Sequence, residues 1–311
     1  MSLRHLVALA TDAQYDTPTI FDGHSEGHTR WDVVGPDRGS VHMGFGICQL
    51  DAAGTIDWHL HSFEESFFVL SGEVVVETPE GSFRLVEGDY GVVPVGVPHA
   101  WHNDGDQPAR WAEMLAPQGR SGDATDTFFV DAPPGRWAPG ADAGAGEPQL
   151  LDPRDPRCRS FGHFEPHHME PSQQTQDKLA LSASMRTALL VYSGISVKMM
   201  VDSDLGAFLA TMFMVQYEPG GFAGAHDHPF EEAYLILEGE VETVIDGRTY
   251  RLGPGDVAFA GVASTHEFAN VGDGPVRWLE TQAPQPPGRH SYRFARDWAY
   301  LEQQLGHTHD H

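Results

Sequence analysis

The sequence predicts an all-β chain built as two tandem antiparallel barrels of jelly-roll type, with short helices outside them. Three observations carry this reading. Short runs rich in Val, Ile, Phe and Trp recur at regular spacing between Gly- and Pro-containing turns, the pattern of a sheet that closes on itself. The pattern occurs twice, in residues 28–118 and 191–287, and the motifs within them match at a constant offset of 167 residues (226 − 59) with no insertion between them. The 311 residues, with 34 Gly, 22 Pro and a hydrophobic fraction of 40%, suit two turn-rich domains with real cores rather than a disordered chain.

Residues 1–27 contain a short apolar piece, Leu6 to Ala10, and are expected to lie as an arm on a barrel edge. The first barrel then reads as a strand at Arg30–Val34, a turn at Gly35–Gly39, a strand ending at Leu50, and a turn at Asp51–Gly54 into the stretch His59–Glu65. Strands at Val74–Glu77, Phe83–Val86 and Arg110–Leu115 complete it. Residues 119–190 break the rhythm and read as a linker, because Pro133–Gly135 and Ala138–Gly146 have little that could support a core. Within the linker, Phe128, Phe129, Trp137, Phe161 and Phe164 are expected to cover apolar barrel surface, and residues 173–186 to form a short helix. The second barrel follows with the strands of the first and a two-residue hairpin turn at Asp246–Gly247. Residues 288–311 are expected to carry a short helix over 297–305 and a loose tail from His307 to His311.

The chemistry concentrates in one stretch of each copy. His226, His228 and Glu232 have equal parity, so an extended backbone turns all three to the same face. His59, His61 and Glu65 do the same 167 residues earlier, and His99 and His266 follow downstream at matching distance. Imidazoles and a carboxylate converging inside a barrel are costly unless something binds them, and a divalent metal is the simplest partner. By parity, Phe63 and Phe67 share a face with His61, while Phe230 and Tyr234 share one with His228. Glu64 and Glu231 have the opposite parity and are expected to face outward or to pair with Arg.

These motifs resemble those of the cupin superfamily. Two His one residue apart, Glu four residues on and Gly seven further (Gly72 and Gly239) resemble its first motif. His99 and Asn103, preceded by Gly88, Pro94 and Gly96, resemble the second, as do Gly255, His266 and Asn270. The departures concern turns: Gly261 stands for the usual Pro, Ala263 for the usual Gly, and Ala53 holds the place that Gly220 has in the second copy. The resemblance implies a bicupin, similar to the quercetin-dioxygenase-like branch. It assigns metal binding to His59, His61, Glu65, His99, His226, His228, Glu232 and His266, with Glu65, Glu232 and Tyr234 as catalytic candidates.

Three imidazoles and one carboxylate per site suit a divalent transition metal, with Fe(II) or Mn(II) favoured and Ni(II), Co(II) or Zn(II) also accommodated. Three functions are weighed. The first is a dioxygenase acting on a small aromatic or diketone-like substrate. The second is a non-redox decarboxylase, hydrolase or isomerase of a small polar acid or ureide, for which Arg110 and Arg277 are the cationic candidates. The third is a binding module in which metals or small ligands are held without turnover. The net charge of −26 excludes nucleic acid and anionic membranes as partners and leaves a small-molecule substrate, with a homodimer expected from the resemblance. Two cysteines, Cys48 and Cys158, are too few for a disulfide framework and fit the cytoplasm. The sequence predicts neither a membrane span nor a secretory signal.

Overall fold

The structure, a computed structural model, describes residues 4–118, 126–133, 148–152, 155, 158–170, 187–190, 194–285 and 293–294. The helices expected over 173–186 and 297–305, Trp137 and the His307–His311 tail lie outside the described residues. The chain divides into two compact units. An N-terminal unit comprises Ala13–Glu165 with Met200–Ala210, and a C-terminal unit comprises Met1–Asp12, Pro166–Met199 and Thr211–His311. No helix among the described residues is long and apolar enough to cross a membrane.

The N-terminal unit is organised around the strand Gly44–His61, whose alternating apolar residues face the core. Its first half, Gly44–Leu50, pairs with Ala109–Ala116 and with Ser25–Val34. Its second half pairs with His99–His102, and its last three residues pair with Thr127–Phe129. One strand therefore serves two walls of the barrel. The turn expected at Asp51–Gly54 is instead a kink within this strand, where Ala53 takes a left-handed conformation (φ 62°). Segments expected in the linker add strands: Phe128 and Phe129 belong to Thr127–Phe129, and Phe161–His163 pairs with Asp89–Val93. The core beneath is aromatic and aliphatic. Trp101 stacks on Trp111 at 5.0 Å with Phe67, Val74, Val76 and Leu85 around them. Each such apolar side chain removed from water contributes about 1.5–3 kcal/mol.

The C-terminal unit holds a seven-stranded and a five-stranded antiparallel sheet. In the larger sheet Glu231–Glu238 lies between Val257–Ala260 and Val276–Ala283. In the smaller, Phe222–Asp227 pairs with His266–Ala269. The strand His5–Ala8 pairs with Val257–Ala260, so the apolar N-terminal arm closes the edge of the C-terminal sheet. The hairpin turn at Asp246–Gly247 forms as the dipeptide dictates, with φ of 49° and 77° at its two residues. Ala263 sits at φ 58° where the first repeat has Gly96 at φ 74°, and Ala53 mirrors Gly220 at φ 76°. Two alanines thus occupy backbone positions for which glycine is the low-energy residue.

Candidate metal centres

His59 and His61 reach the interior of the N-terminal unit from the end of its long strand, Glu65 from the strand Glu64–Ser71, and His99 from the first residue of His99–His102. Their donor atoms all lie within 4.8 Å of one another, and all four residues are buried. Glu65 Oε2 lies 3.1 Å from His61 Nε2 and 3.2 Å from His99 Nε2. Each imidazole is held by its other nitrogen: His59 Nδ1 donates to Asp57 O (2.6 Å), His99 Nδ1 donates to Val97 O (3.1 Å), and His61 Nδ1 bonds Thr127 Oγ1 (2.9 Å). A backbone carbonyl only accepts, so Nδ1 of His59 and of His99 carries a proton and Nε2 is the atom each turns to the centre.

The C-terminal unit repeats the arrangement. His226 Nδ1 donates to Gly224 O (2.7 Å), His228 Nδ1 to Phe230 O (2.8 Å) and His266 Nδ1 to Ser264 O (2.9 Å). These three histidines alone form the compact donor group, again within 4.8 Å of one another. Glu232 lies beside them with its oxygens shared between the cluster and two further donors. Tyr234 OH donates to Oε2, Gln282 Nε2 donates to Oε1, and His228 Nε2 lies 2.7 Å from Oε2. Tyr234, one of the catalytic candidates, spends its hydroxyl on Glu232.

The electrostatics favour metal over proton most clearly at the N-terminal centre, whereas in the C-terminal unit burial of His228 is outweighed by Glu232, which raises it above the ordinary imidazole range. Burial, reinforced by His99 and His61, holds His59 well below the ordinary imidazole range. Burial, reinforced by His266, lowers His226 to about 4. Burial would raise the Glu65 carboxyl, but the bonds from His61 and His99 outweigh it and keep the group well below its usual range. Glu65 Oε1 is buried without a hydrogen-bond partner, which a bound cation would supply, whereas His266 Nε2 lies 3.2 Å from Glu232 Oε2. At the N-terminal centre, imidazoles held low at His59 and His61, an ionised Glu65 and its unsatisfied inward-facing oxygen fit a divalent transition metal. The second-motif asparagines brace the strand ends: Asn103 Nδ2 donates to Leu50 O and Gln107 O, and Asn270 Nδ2 to Tyr217 O and Gly274 O.

Comparison with known proteins agrees with this geometry. A cupin domain family matches residues 46–115 and 213–281, one match in each unit. The chain thus carries two cupin domains, one in each unit. Oxalate decarboxylase from Lactobacillus farciminis has the same fold over 98% of this chain and 94% of its own, with TM-score 0.60 and 18% identity. The Bacillus subtilis oxalate decarboxylase covers 98% and 83%, with TM-score 0.60 and 16% identity. Protein Ylba of E. coli covers 93% of both chains, with TM-score 0.58 and 13% identity. Among curated sequences, polyketide synthase CurC of Streptomyces cyaneus is 31% identical over 84 residues, which are 27% of this chain and 54% of that protein. The transcriptional regulator PuuR of Escherichia coli is 30% identical over 92 residues, 29% of this chain and 49% of that one. The matched part thus spans about half the length of these curated relatives.

Several sequence expectations about the bicupin's sites change in three dimensions. Phe63 and Phe230 do stack on their histidines, at 4.3 Å from His61 and 3.9 Å from His228. Glu64 and Glu231 do not face outward; both are buried, and the Glu64 carboxylate accepts from the backbone N–H of Phe208 (2.6 Å) and Leu209 (2.9 Å). Backbone amides replace the expected Arg as the partner of Glu64. Arg110 binds Tyr15 OH and Arg277 binds Gln216 and Glu238, so neither reaches a donor cluster. The N-terminal cluster instead opens on a cavity of about 460 Å³, whose lining includes Arg30, His28, Glu113, Phe21 and Trp111. The available signal was the alternation His28, Arg30, Asp32 along one strand, which puts three polar side chains on the face that packs toward His59.

Proposed function

We propose that the N-terminal unit is a metal-dependent catalytic centre for a small molecule and that the C-terminal unit holds a second metal. The observation that carries this is the junction of a complete His59–His61–Glu65–His99 donor set with a roomy cavity of about 460 Å³, a size suited to a small substrate. A divalent ion on these four residues supplies Lewis acidity and, as Fe(II) or Mn(II), electron transfer at the positions the protein leaves open.

The chain's own groups do the rest. Phe21, Phe63 and Trp101 give the cavity an apolar wall that orients a flat or apolar substrate body and excludes water. Glu65, ionised and with Oε1 unpaired, is placed to accept a proton at the reacting centre. The aromatic wall supports an oxygen-using reaction on an aromatic or diketone-like substrate. A second reading, non-redox decarboxylation, hydrolysis or isomerisation of a small acid, is favoured by Arg30 in the same cavity. Ions bound to the full chain purified without chelator identify the metal. Oxygen uptake with catechol- and flavonol-type compounds supports the first reaction, and turnover of oxalate-type acids without oxygen supports the second. Turnover that survives in His61→Ala removes the N-terminal unit as the centre.

A further inference from the structure

The cavity has a second polar pole besides the metal cluster. Arg30 Nε donates to Glu113 Oε2 at 2.9 Å and its NH1 pairs with Asp32, but its NH2 is buried with no partner among the described residues. Trp111 Nε1 and both ring nitrogens of His28 are likewise buried and unpartnered, and all three residues line the cavity. A buried donor left unsatisfied costs about 1–3 kcal/mol, so this concentration on one wall calls for an occupant rich in acceptors. Room for the guanidinium is built in: a Cβ on Gly46 would come within 2.7 Å of Arg30 Cζ. Burial acts against the charge on Arg30, but Glu113 outweighs it and the guanidinium stays protonated. Burial and then Arg30 lower His28 to about 4, which leaves it neutral with one donor and one acceptor.

At the equivalent positions the C-terminal unit has Ile195 for His28, Val197 for Arg30 and Phe213 for Gly46, all buried and apolar. The polar pole therefore belongs to one cavity and is not a general feature of the repeat.

We propose that Arg30 NH2 and Trp111 Nε1, with His28 beside them, form a carboxylate-binding subsite, so that the substrate of this cavity is an organic acid with an aromatic or aliphatic body. The subsite rests on the N-terminal unit being the substrate cavity, though it does not depend on which reaction follows. Phe21, whose ring packs against both His28 (5.2 Å) and His59 (5.3 Å), stands between the poles and distinguishes such an acid from one that is polar throughout. A planar fork with a free nitrogen suits a carboxylate better than a lysine ammonium would.

The test uses benzoate as probe and benzamide as its neutral isostere, titrated by calorimetry into the full chain, both zinc-loaded and chelated. Benzoate is expected to bind at least tenfold more tightly than benzamide. Arg30→Lys, which keeps the charge, is expected to weaken benzoate about tenfold, and Trp111→Phe, which keeps the ring, several-fold, with zinc content unchanged in both. Equal affinity for the two probes, or benzoate binding untouched by both substitutions, overturns the subsite. Benzoate selectivity that persists in His61→Ala, in a protein with no turnover of any acid, leaves the subsite standing while the catalytic reading fails.

Discussion

The two barrels carry the same metal motif and differ in what surrounds it. In the N-terminal unit Glu113 is paired with Arg30, Cys48 Sγ lies 3.5 Å from its other oxygen, and the donor cluster faces a cavity. In the C-terminal unit the equivalent Glu280 has no arginine; it accepts from Trp278 Nε1 at 3.0 Å. Burial first, then the charge of Glu232, pushes its carboxyl well above the usual range. Phe67 of the first repeat is Tyr234 in the second, and Leu115 is Gln282, and these two changes supply the hydroxyl and amide that hold Glu232. Duplication kept the ligands, whereas divergence of a few flanking residues made one site open and the other internally satisfied.

The largest effect should come from removing one ligand on each side. His61→Ala and His228→Ala are each expected to lower the metal content by about one ion per chain, measured by elemental analysis, because loss of one ligand weakens such a site strongly. Only His61→Ala is expected to abolish turnover; the loss of activity in His228→Ala alone would reverse the assignment of the two units. Next in size is Arg30→Val, which gives the first barrel the residue of the second. It strands the buried Glu113 carboxylate and is expected to cost about 3–5 kcal/mol in chemical denaturation. A smaller shift would mean that Glu113 is neutral.

Acid sensitivity sharpens the comparison further. His28 is neutral in the fold down to about pH 4, while an unfolded imidazole takes up its proton near 6.5. Its contribution is therefore present above pH 6.5 and is lost as pH falls toward 4, at most about 3 kcal/mol. Replacing it with the residue of the second barrel, His28→Ile, should flatten the fall of the thermal midpoint across that window in chelated protein; an unchanged slope would place the acid-labile groups elsewhere. The smallest effect concerns the backbone. Ala53→Gly and Ala263→Gly match Gly220 and Gly96 of the opposite repeat and are each expected to stabilise by about 0.5–1 kcal/mol in urea denaturation, since alanine at positive φ is strained.

The sequence by itself determined the fold class, the duplication and the positions of the paired donor motifs. Strand parity and a constant offset are local, additive properties of the chain, and the stacking of Phe63 and Phe230 on their histidines followed from the same parity. It misplaced Glu64, because parity says which face a side chain takes but not that the backbone amides of Phe208 and Leu209, 144 and 145 residues away, would meet it. The arm at His5–Ala8 likewise read as apolar, yet its partner strand Val257–Ala260 is a matter of topology. Only the tertiary structure decided that Arg30 from one strand and Trp111 and Glu113 from another line one cavity, and that Tyr234 and Gln282 occupy the Glu232 carboxylate instead of leaving it free. Ligand identity is written in short-range spacing, while charge balance and open space arise from contacts between strands far apart in the chain.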